Sequence, residues 1–516
     1  MINKALWLAP SLTLGLMVVP VTAGLAGTLL PALAQGGAGF ARLAEWPGLW
    51  RAVALSLGTG IVSTALAFAL TLLILAAFAG TPIFAGLRRL IAPLLSVPHA
   101  AAAFGLAFLI APSGWLARMI SPELTGWTEP PDLLILNDPW GLSLTLGLVA
   151  KELPFLLLMA LAALPQIDAD RRLATAATLG YGRMAGFLLT IFPALYIQLR
   201  LPVYAVLAYG MTTVDMALIL GPTLPPTLSV QVTLWISEAA LGNRDIAAAG
   251  ACLQLVMVLA ALLVWRGAEK GAKAMLLAHA FRGQRWARAD RPTGFVALVA
   301  TAVAAGSLGF GLGGLALWSV AGTWQFPDAL PQTLSLQHWA QAYPAMSATL
   351  AQTLCIGLSS TLAALVLVLA CLQAEVSYGL SPGQGALVLL YAPLLIPQIA
   401  FLPGLQVLAI ATGLEGNMAA VAFAHLVFVL PYVFLSLSGP YRAWDGRLAI
   451  AAATMGASQA RIFWRLRLPM LTAPILTAAA IGLAVSVGQY LPSLLIGGGR
   501  VETLTTEAVA LSSGGN

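Results

Sequence analysis

Charge is scarce in this sequence. Only 9% of its 516 residues are Asp, Glu, Lys or Arg, against roughly 25% in soluble domains. So few ionic groups cannot dress a water-facing surface, which excludes a soluble globule. Cysteine is nearly absent too: 3 residues, Cys252, Cys355 and Cys371, fall in apolar runs without paired spacing. That excludes a disulfide framework and reads as small buried side chains. The 4 histidines, His99, His279, His338 and His425, are scattered, so no metal site is legible. A phosphate-cradling glycine loop ending in Lys-Ser or Lys-Thr is missing, and no catalytic triad stands out. The sequence therefore points to neither an enzyme nor a bound cofactor.

Long apolar runs are what the sequence has instead. About 20 such residues cross ~30 Å of hydrocarbon. Candidate spans lie near 6–30, 52–78, 90–112, 141–164, 193–220 and 246–266. A second series follows near 293–320, 346–372, 386–411, 419–440 and 470–496. None alternates with period two, so helices are expected rather than barrel strands. The run behind Lys4 is far longer than the roughly 7–15 residues of a signal-peptide core. It is read as a retained anchor, despite the "ALA" at 32–34.

Basic residues mark one side of the bilayer. With Lys4 inside, the inner loops hold Arg88, Arg89, Arg171, Arg172, Arg183, Arg442, Arg447, Arg461, Arg465, Arg467 and the cluster at 266–291. The opposite loops hold Arg42, Arg51, Arg118, Arg244 and Arg500. This asymmetry places the amino terminus in the cytoplasm. It also accounts for the net charge of +6 without a nucleic-acid partner.

The basic stretch 266–292 divides the chain into two repeats, 1–265 and 293–516. "GIVSTALA" at 60–67 answers "GLSSTLAA" at 357–364, and "APLL" occurs at 92–95 and 392–395. Pro154 and Phe155 match Pro431 and Tyr432. Parallel repeats of five to six spans are a transporter architecture. At an offset of 276, "TLSVQV" at 227–232 aligns with "TLTTEA" at 503–508. The second repeat is therefore expected to lack the counterpart of the run at 246–266.

Between the fourth and fifth spans of each repeat, on the inner side, one punctuated segment recurs. It reads "ATLGYGRMAGFLLTIFPA" at 177–194 and "ATMGASQARIFWRLRLPM" at 453–470. Alanine-rich residues 173–180 and 448–456 favour a short helix, and Gly180 and Gly456 suit the left-handed residue that ends one. A second amphipathic helix is predicted beyond each glycine. Its apolar face holds Phe187, Leu188 and Ile191 in one copy and Ile462, Phe463 and Leu466 in the other, while Arg461, Arg465 and Arg467 stay polar. Pro193 and Pro469 then open the next span, where a missing N–H costs nothing. The expected product is a helix–turn–helix elbow whose exposed apolar face suits a groove on a partner.

With its glycine, and a proline thirteen residues on, this segment resembles the cytoplasmic loop signature of permeases of binding-protein-dependent ABC importers. The layout resembles their fused double-permease branch, which serves ferric iron, thiamine and related small solutes. Ala176, Gly180 and Pro193 match in the first repeat, and Ala451, Ala452, Gly456, Leu468 and Pro469 in the second. The signature's acidic residue is replaced by Ala174 and Ile450, and Thr175 stands at one alanine position. The resemblance implies an all-α multi-pass protein of the bacterial inner membrane with a coupling helix in each repeat. It implies two ABC ATPase subunits docked at Ala176, Gly180, Phe187, Pro193, Ala452, Gly456, Phe463 and Pro469. It also implies a periplasmic solute-binding protein, and ATP hydrolysis on the separate subunits.

Ionisable residues inside spans are the remaining signal. Lys151 and Glu152 sit near the centre of the fourth span, where a charge costs roughly 2.5–3.5 kcal/mol and usually faces a cavity or pairs. A pathway lining and a structural pair both satisfy that rule, and the second copy holds Phe428 and Val429 there. Asp215 lies toward the outer end of the fifth span, and its repeat neighbourhood carries Gln489 and Tyr490. The resembled family lines its path with this helix, which makes Asp215, Gln489 and Tyr490 path candidates; an ordinary helix–helix hydrogen bond is the other reading. The same groups support a rival function, an ion-coupled secondary transporter using Lys151, Glu152 and Asp215.

Overall fold

The computed structural model describes residues 6–34, 37–84, 86, 87, 89, 94, 97–238, 240, 242–283, 285 and 290–513. Among these the fold is all-α, with one isolated bridge between Ala321 and Leu334. The chain begins with α1 (Ala9–Ala34), α2 (Leu49–Phe78), α3 (His99–Ile110) and α4 (Leu142–Ala163). The short α5 (Ala169–Thr178) and α6 (Arg183–Gly186) follow, and a π-turn at Phe187–Ile191 leads into α7 (Phe192–Thr212). Next come α8 (Asp215–Leu220), α9 (Leu228–Ser237), α10 (Asn243–Phe281) and α11 (Asp290–Ser319). Then follow α12 (Gln337–Tyr378), α13 (Gln384–Leu395), α14 (Gln398–Ala411) and α15 (Met418–Arg442). The last are α16 (Arg447–Thr454), α17 (Gln459–Ile462), a π-turn at Phe463–Arg467, α18 (Thr472–Val487), α19 (Leu491–Gly497) and α20 (Leu504–Ser513).

Among the described residues, 9 helices are long and apolar enough to cross a membrane, or up to 11 if each of two bent pairs is one span. They fall on the apolar runs of the sequence. The run at 386–411 is not straight: α13 and α14 meet at 89°. Pro397 stands at the bend, where its ring and missing N–H forbid a continuous ladder. Residues 90–93, 95 and 96 of the third run, and 284 and 286–289 of the basic stretch, lie outside the described residues.

The repeats are visible as geometry. The π-turns Phe187–Ile191 and Phe463–Arg467 stand 276 residues apart, as do α9 and α20. α2 and α12 show how such sequences settle in lipid. α12 buries Thr349, Thr353, Gly357, Ser360, Thr361 and Ala364 and exposes Leu354, Leu358, Leu362 and Val366. Small and hydroxyl residues lie inward because they let backbones approach, while leucine gains nothing by leaving lipid. The hydroxyls bond within the helix: in α2, Thr64 donates to the Gly60 carbonyl at 2.7 Å and Thr71 to Ala67 at 2.8 Å.

Contacts divide the chain into two compact units, Met1–Pro31 with Ala345–Ala508, and Ala32–Pro344 with Val509–Asn516. In the first unit, α1 packs on α14 so closely that a Cβ on Gly27 would lie 2.9 Å from Gly404 Cα. The Gly404 N–H there donates to Thr28 Oγ1 at 2.8 Å. In the second unit, α11 crosses α3 in the same manner, a Cβ on Gly311 falling 2.7 Å from the Gly105 backbone. The first unit thus takes α1 from a remote part of the chain, whereas α11 is the last long helix of the second unit's continuous segment.

Candidate functional site

The two elbows close in the same way. α5 ends in a left-handed residue, Gly180 at φ 78°, and α16 in Gly456 at φ 84°. The Gly180 N–H donates to Ala177 O at 2.9 Å and the Tyr181 N–H to Ala176 O at 3.1 Å. In the second copy, Gly456 donates to Ala453 O at 2.9 Å and Ala457 to Ala452 O at 3.0 Å. Both are Schellman closures, which satisfy carbonyls orphaned by the helix end. Ala176 is buried, and a Cβ on Gly186 would meet its Cβ at 3.0 Å. A larger side chain at 176 would therefore pry the elbow open.

The second arm differs between the copies. In the first it is not a separate helix, because Arg183–Thr212 runs as one 30-residue helix, whereas in the second Gln459–Met470 stands as its own arm, bent 71° from Thr472–Val487. Pro193 and Pro469 both occupy the first turn after a π-turn. A proline in a continuous helix crowds the carbonyl four residues back, here Leu189 and Arg465, and the wider π-turn absorbs that conflict. Phe187 and Ile191 are fully buried, so they root the elbow and present no face to a partner. Phe463 is half-buried beside the exposed Trp464. The exposed apolar residues common to both elbows are at the tips, Leu179 at 59% and Met455 at 82%, two equivalent positions that the sequence pattern did not single out; the second elbow also exposes Ile450 and Trp464. Arg467, expected to stay polar and outward, is buried.

Inside the second unit the structure joins the ionisable candidates into a line. Glu152 faces His99 at 3.6 Å. The His99 ring lies 4.6 Å from that of Tyr209, whose hydroxyl donates to Asp215 Oδ1 at 3.4 Å. Thr213 Oγ1 donates to the same carboxylate oxygen at 2.9 Å. Lys151 donates to the carbonyls of Val97 and Leu94. His99 and Tyr209 were not legible beforehand, since they come from separate helices.

The line sits where α7 breaks before α8. In the first unit the equivalent break, between α18 and α19, carries Gln489 and Tyr490, both half-buried. Gln398, first in α14, donates to Gln489 Oε1 at 3.4 Å; like His99, it directly follows a proline. Fully buried His425 spans this break, bonding Ser486 Oγ at 2.8 Å on one side and Ser493 Oγ at 2.9 Å on the other. Each break frees a carbonyl, and each is capped differently. Gln254 Nε2 donates to Met211 O at 3.0 Å, whereas Thr505 Oγ1 donates to the equivalent Val487 O at 2.5 Å. Broken helices with polar linings are where membrane transporters hold solutes.

The sequence model of the binding-protein-dependent transport system inner membrane component family matches residues 366–512. The chain is 31% identical over 432 residues to the inner membrane ABC transporter permease protein YnjC of Escherichia coli (strain K12), covering 82% of this chain and 74% of that protein. It is 30% identical over 121 residues to the molybdenum transport system permease protein ModB of Mycobacterium tuberculosis, 23% of this chain and 44% of that one. It is 24% identical over 123 residues to the spermidine/putrescine transport system permease protein PotC of Haemophilus influenzae, 24% and 48% of the two chains. No solved structure matches.

Proposed function

The chain belongs to the family of ABC transporter permeases, and from that membership we propose that it is a fused double permease whose two elbows each dock one ATPase subunit. As a permease it is a multi-pass inner membrane protein and not itself an enzyme, working with ATPase and solute-binding partners. The observation that carries the proposal is the pair of matching Schellman-closed elbows, each ending in an exposed apolar tip, Leu179 and Met455. One chain thereby supplies two docking points.

The amino terminus is then cytoplasmic, with both elbows on the same side, as the basic loops favour. The solute reaches the broken helices from a periplasmic binding protein; the groups that would meet it are Lys151, Glu152, His99, Tyr209 and Asp215 at the second unit's break, and Gln398, Gln489 and Tyr490 at the first unit's own break. Along that route Glu152 and Asp215 outnumber the one lysine, Lys151, a balance that favours a small cationic or metal-bearing solute of the thiamine or ferric iron type. An ion-coupled carrier would use the same carboxylates but would need no elbows. Purification of the tagged chain from its native membranes tests the proposal: ATPase and chain should co-isolate at two to one. Isolation of the chain alone, with solute uptake abolished by an ionophore, would favour the carrier.

A further inference from the structure

Each elbow is tied to the rest of its unit by an arginine, and the two arginines reach the same place from different starting points. In the second unit, Arg183 Nε donates to Ala76 O at 2.8 Å and another of its nitrogens to Ala79 O, at the end of α2. In the first unit, Arg467 Nη1 donates to Gln373 Oε1 at 2.8 Å, near the end of α12. The repeats align 60–67 with 357–364, and the same register sets Ala76 opposite Gln373. Yet Arg183 and Arg467 are not equivalent: one opens the second arm, and the other closes the π-turn. Different residues serving one equivalent point indicate that the point matters.

The Arg467 contact is a built one. Its guanidinium lies 4.4 Å from the Trp444 ring centroid and 5.3 Å from that of Tyr441, and the Tyr441 hydroxyl donates to the same Gln373 oxygen. Arg442 and Glu375 pair beside it at 2.9 and 3.0 Å.

The clasped helices lead to the breaks. A Cβ on Gly60 of α2 would lie 2.8 Å from the Met211 N, and one on Gly357 of α12 would lie 2.7 Å from Leu483 Cδ1. One turn further along, Ser56 accepts the Leu228 N–H and Thr353 the Leu504 N–H. From Ala76 to Gly60 is ~24 Å of unbroken helix.

We propose that Arg183 and Arg467 are positioning residues that clasp each elbow to α2 and α12, and that these helices carry elbow displacement to the broken helices. The proposal rests on the reading of the elbows as ATPase docking points. The test uses the complex purified through a tag on this chain, with Cys252, Cys355 and Cys371 replaced and Tyr490→Cys as a reporter at the break. Maleimide labelling of that cysteine is compared with and without ATP and vanadate. With Arg467 present, trapping should change the labelling rate about fivefold or more, in the range of measured coupling effects. In Arg467→Gln the ATPase should still co-isolate, while the change falls below about twofold; Arg467→Lys should restore part of it. Where Arg467→Gln fails to assemble, Gln373→Leu removes the acceptor and should give the same loss. An undiminished change in an assembled Arg467→Gln or Gln373→Leu complex overturns the clasp. A parent chain that retains no ATPase overturns the docking reading instead.

Discussion

Replacing Gly456 separates backbone conformation from every other influence on the elbow. A Cβ added there meets no heavy atom within 4 Å, and the residue stands at φ 84°. The cost of alanine is therefore conformational alone, about 1–2 kcal/mol for a left-handed residue. That shifts a local equilibrium by roughly 5–30-fold. Asparagine, which tolerates this region, should cost less. Proline is locked near −65° and also loses the N–H that donates to Ala453 at 2.9 Å, a penalty of about 3 kcal/mol or more. At Gly180 the alanine cost is joined by a displacement, because the Cβ falls 2.8 Å from Arg285 Nη1.

ATPase retention on a tagged chain should thus decline in the order Gly, Asn, Ala, Pro, with membrane insertion unchanged throughout. Hydrogen exchange at Ala457, whose amide bonds Ala452 O at 3.0 Å, should accelerate in the same order. The proline variants at either glycine should abolish uptake. If proline retains the ATPase as well as glycine does, the closure has no part in docking and the reasoning fails.

Three further outcomes follow. Glu152→Ala should accumulate at the level of the parent chain, because Lys151 keeps its carbonyl acceptors, while uptake falls; lost expression with no separate transport defect would mark the residue as structural. His425→Leu should lower the thermal stability of the purified chain by about 1–2 kcal/mol, since it removes both hydrogen bonds that link Ser486 to Ser493 across the break, although each serine keeps one other partner; an unchanged melting temperature would contradict the role of His425 as a staple. Burial alone would raise the Asp138 carboxyl, but donors from Leu142, Ser143 and Trp140 outweigh it and hold the group below its ordinary pKa. A depressed folded pKa means stabilisation present above the unfolded value and lost as pH falls through the folded one, so Asp138→Asn should flatten the acid limb of a stability profile; an acid limb unchanged in the variant would contradict it.

What the sequence disclosed was what short-range chemistry determines. The spans follow from run length, and Gly180 and Gly456 from a helix end that needs a left-handed residue within one turn. Pro193 was placed correctly in the first turn of the next long helix, but Pro469 lies before the 71° bend, on the arm Gln459–Met470; the π-turns ahead of both were not legible, because the conflict they relieve depends on the helix continuing through the proline. Arg467 looked like a surface charge; its partners Gln373, Tyr441 and Trp444 lie on other elements, and no periodicity announces them. His99 and His425 read as scattered for the same reason. They meet Glu152, Ser486 and Ser493 only when three or four helices assemble. The packing of α1 on α14 and of α11 on α3 is likewise set by paired glycines whose partners are remote in sequence.

The central claim, one ATPase subunit on each elbow of a single chain, is tested most directly by counting. Native mass spectrometry of the tagged complex should show two ATPase subunits with the parent chain, one with either Gly180→Pro or Gly456→Pro, and none with both. Two subunits retained by the double variant, or none with the parent chain, would contradict it.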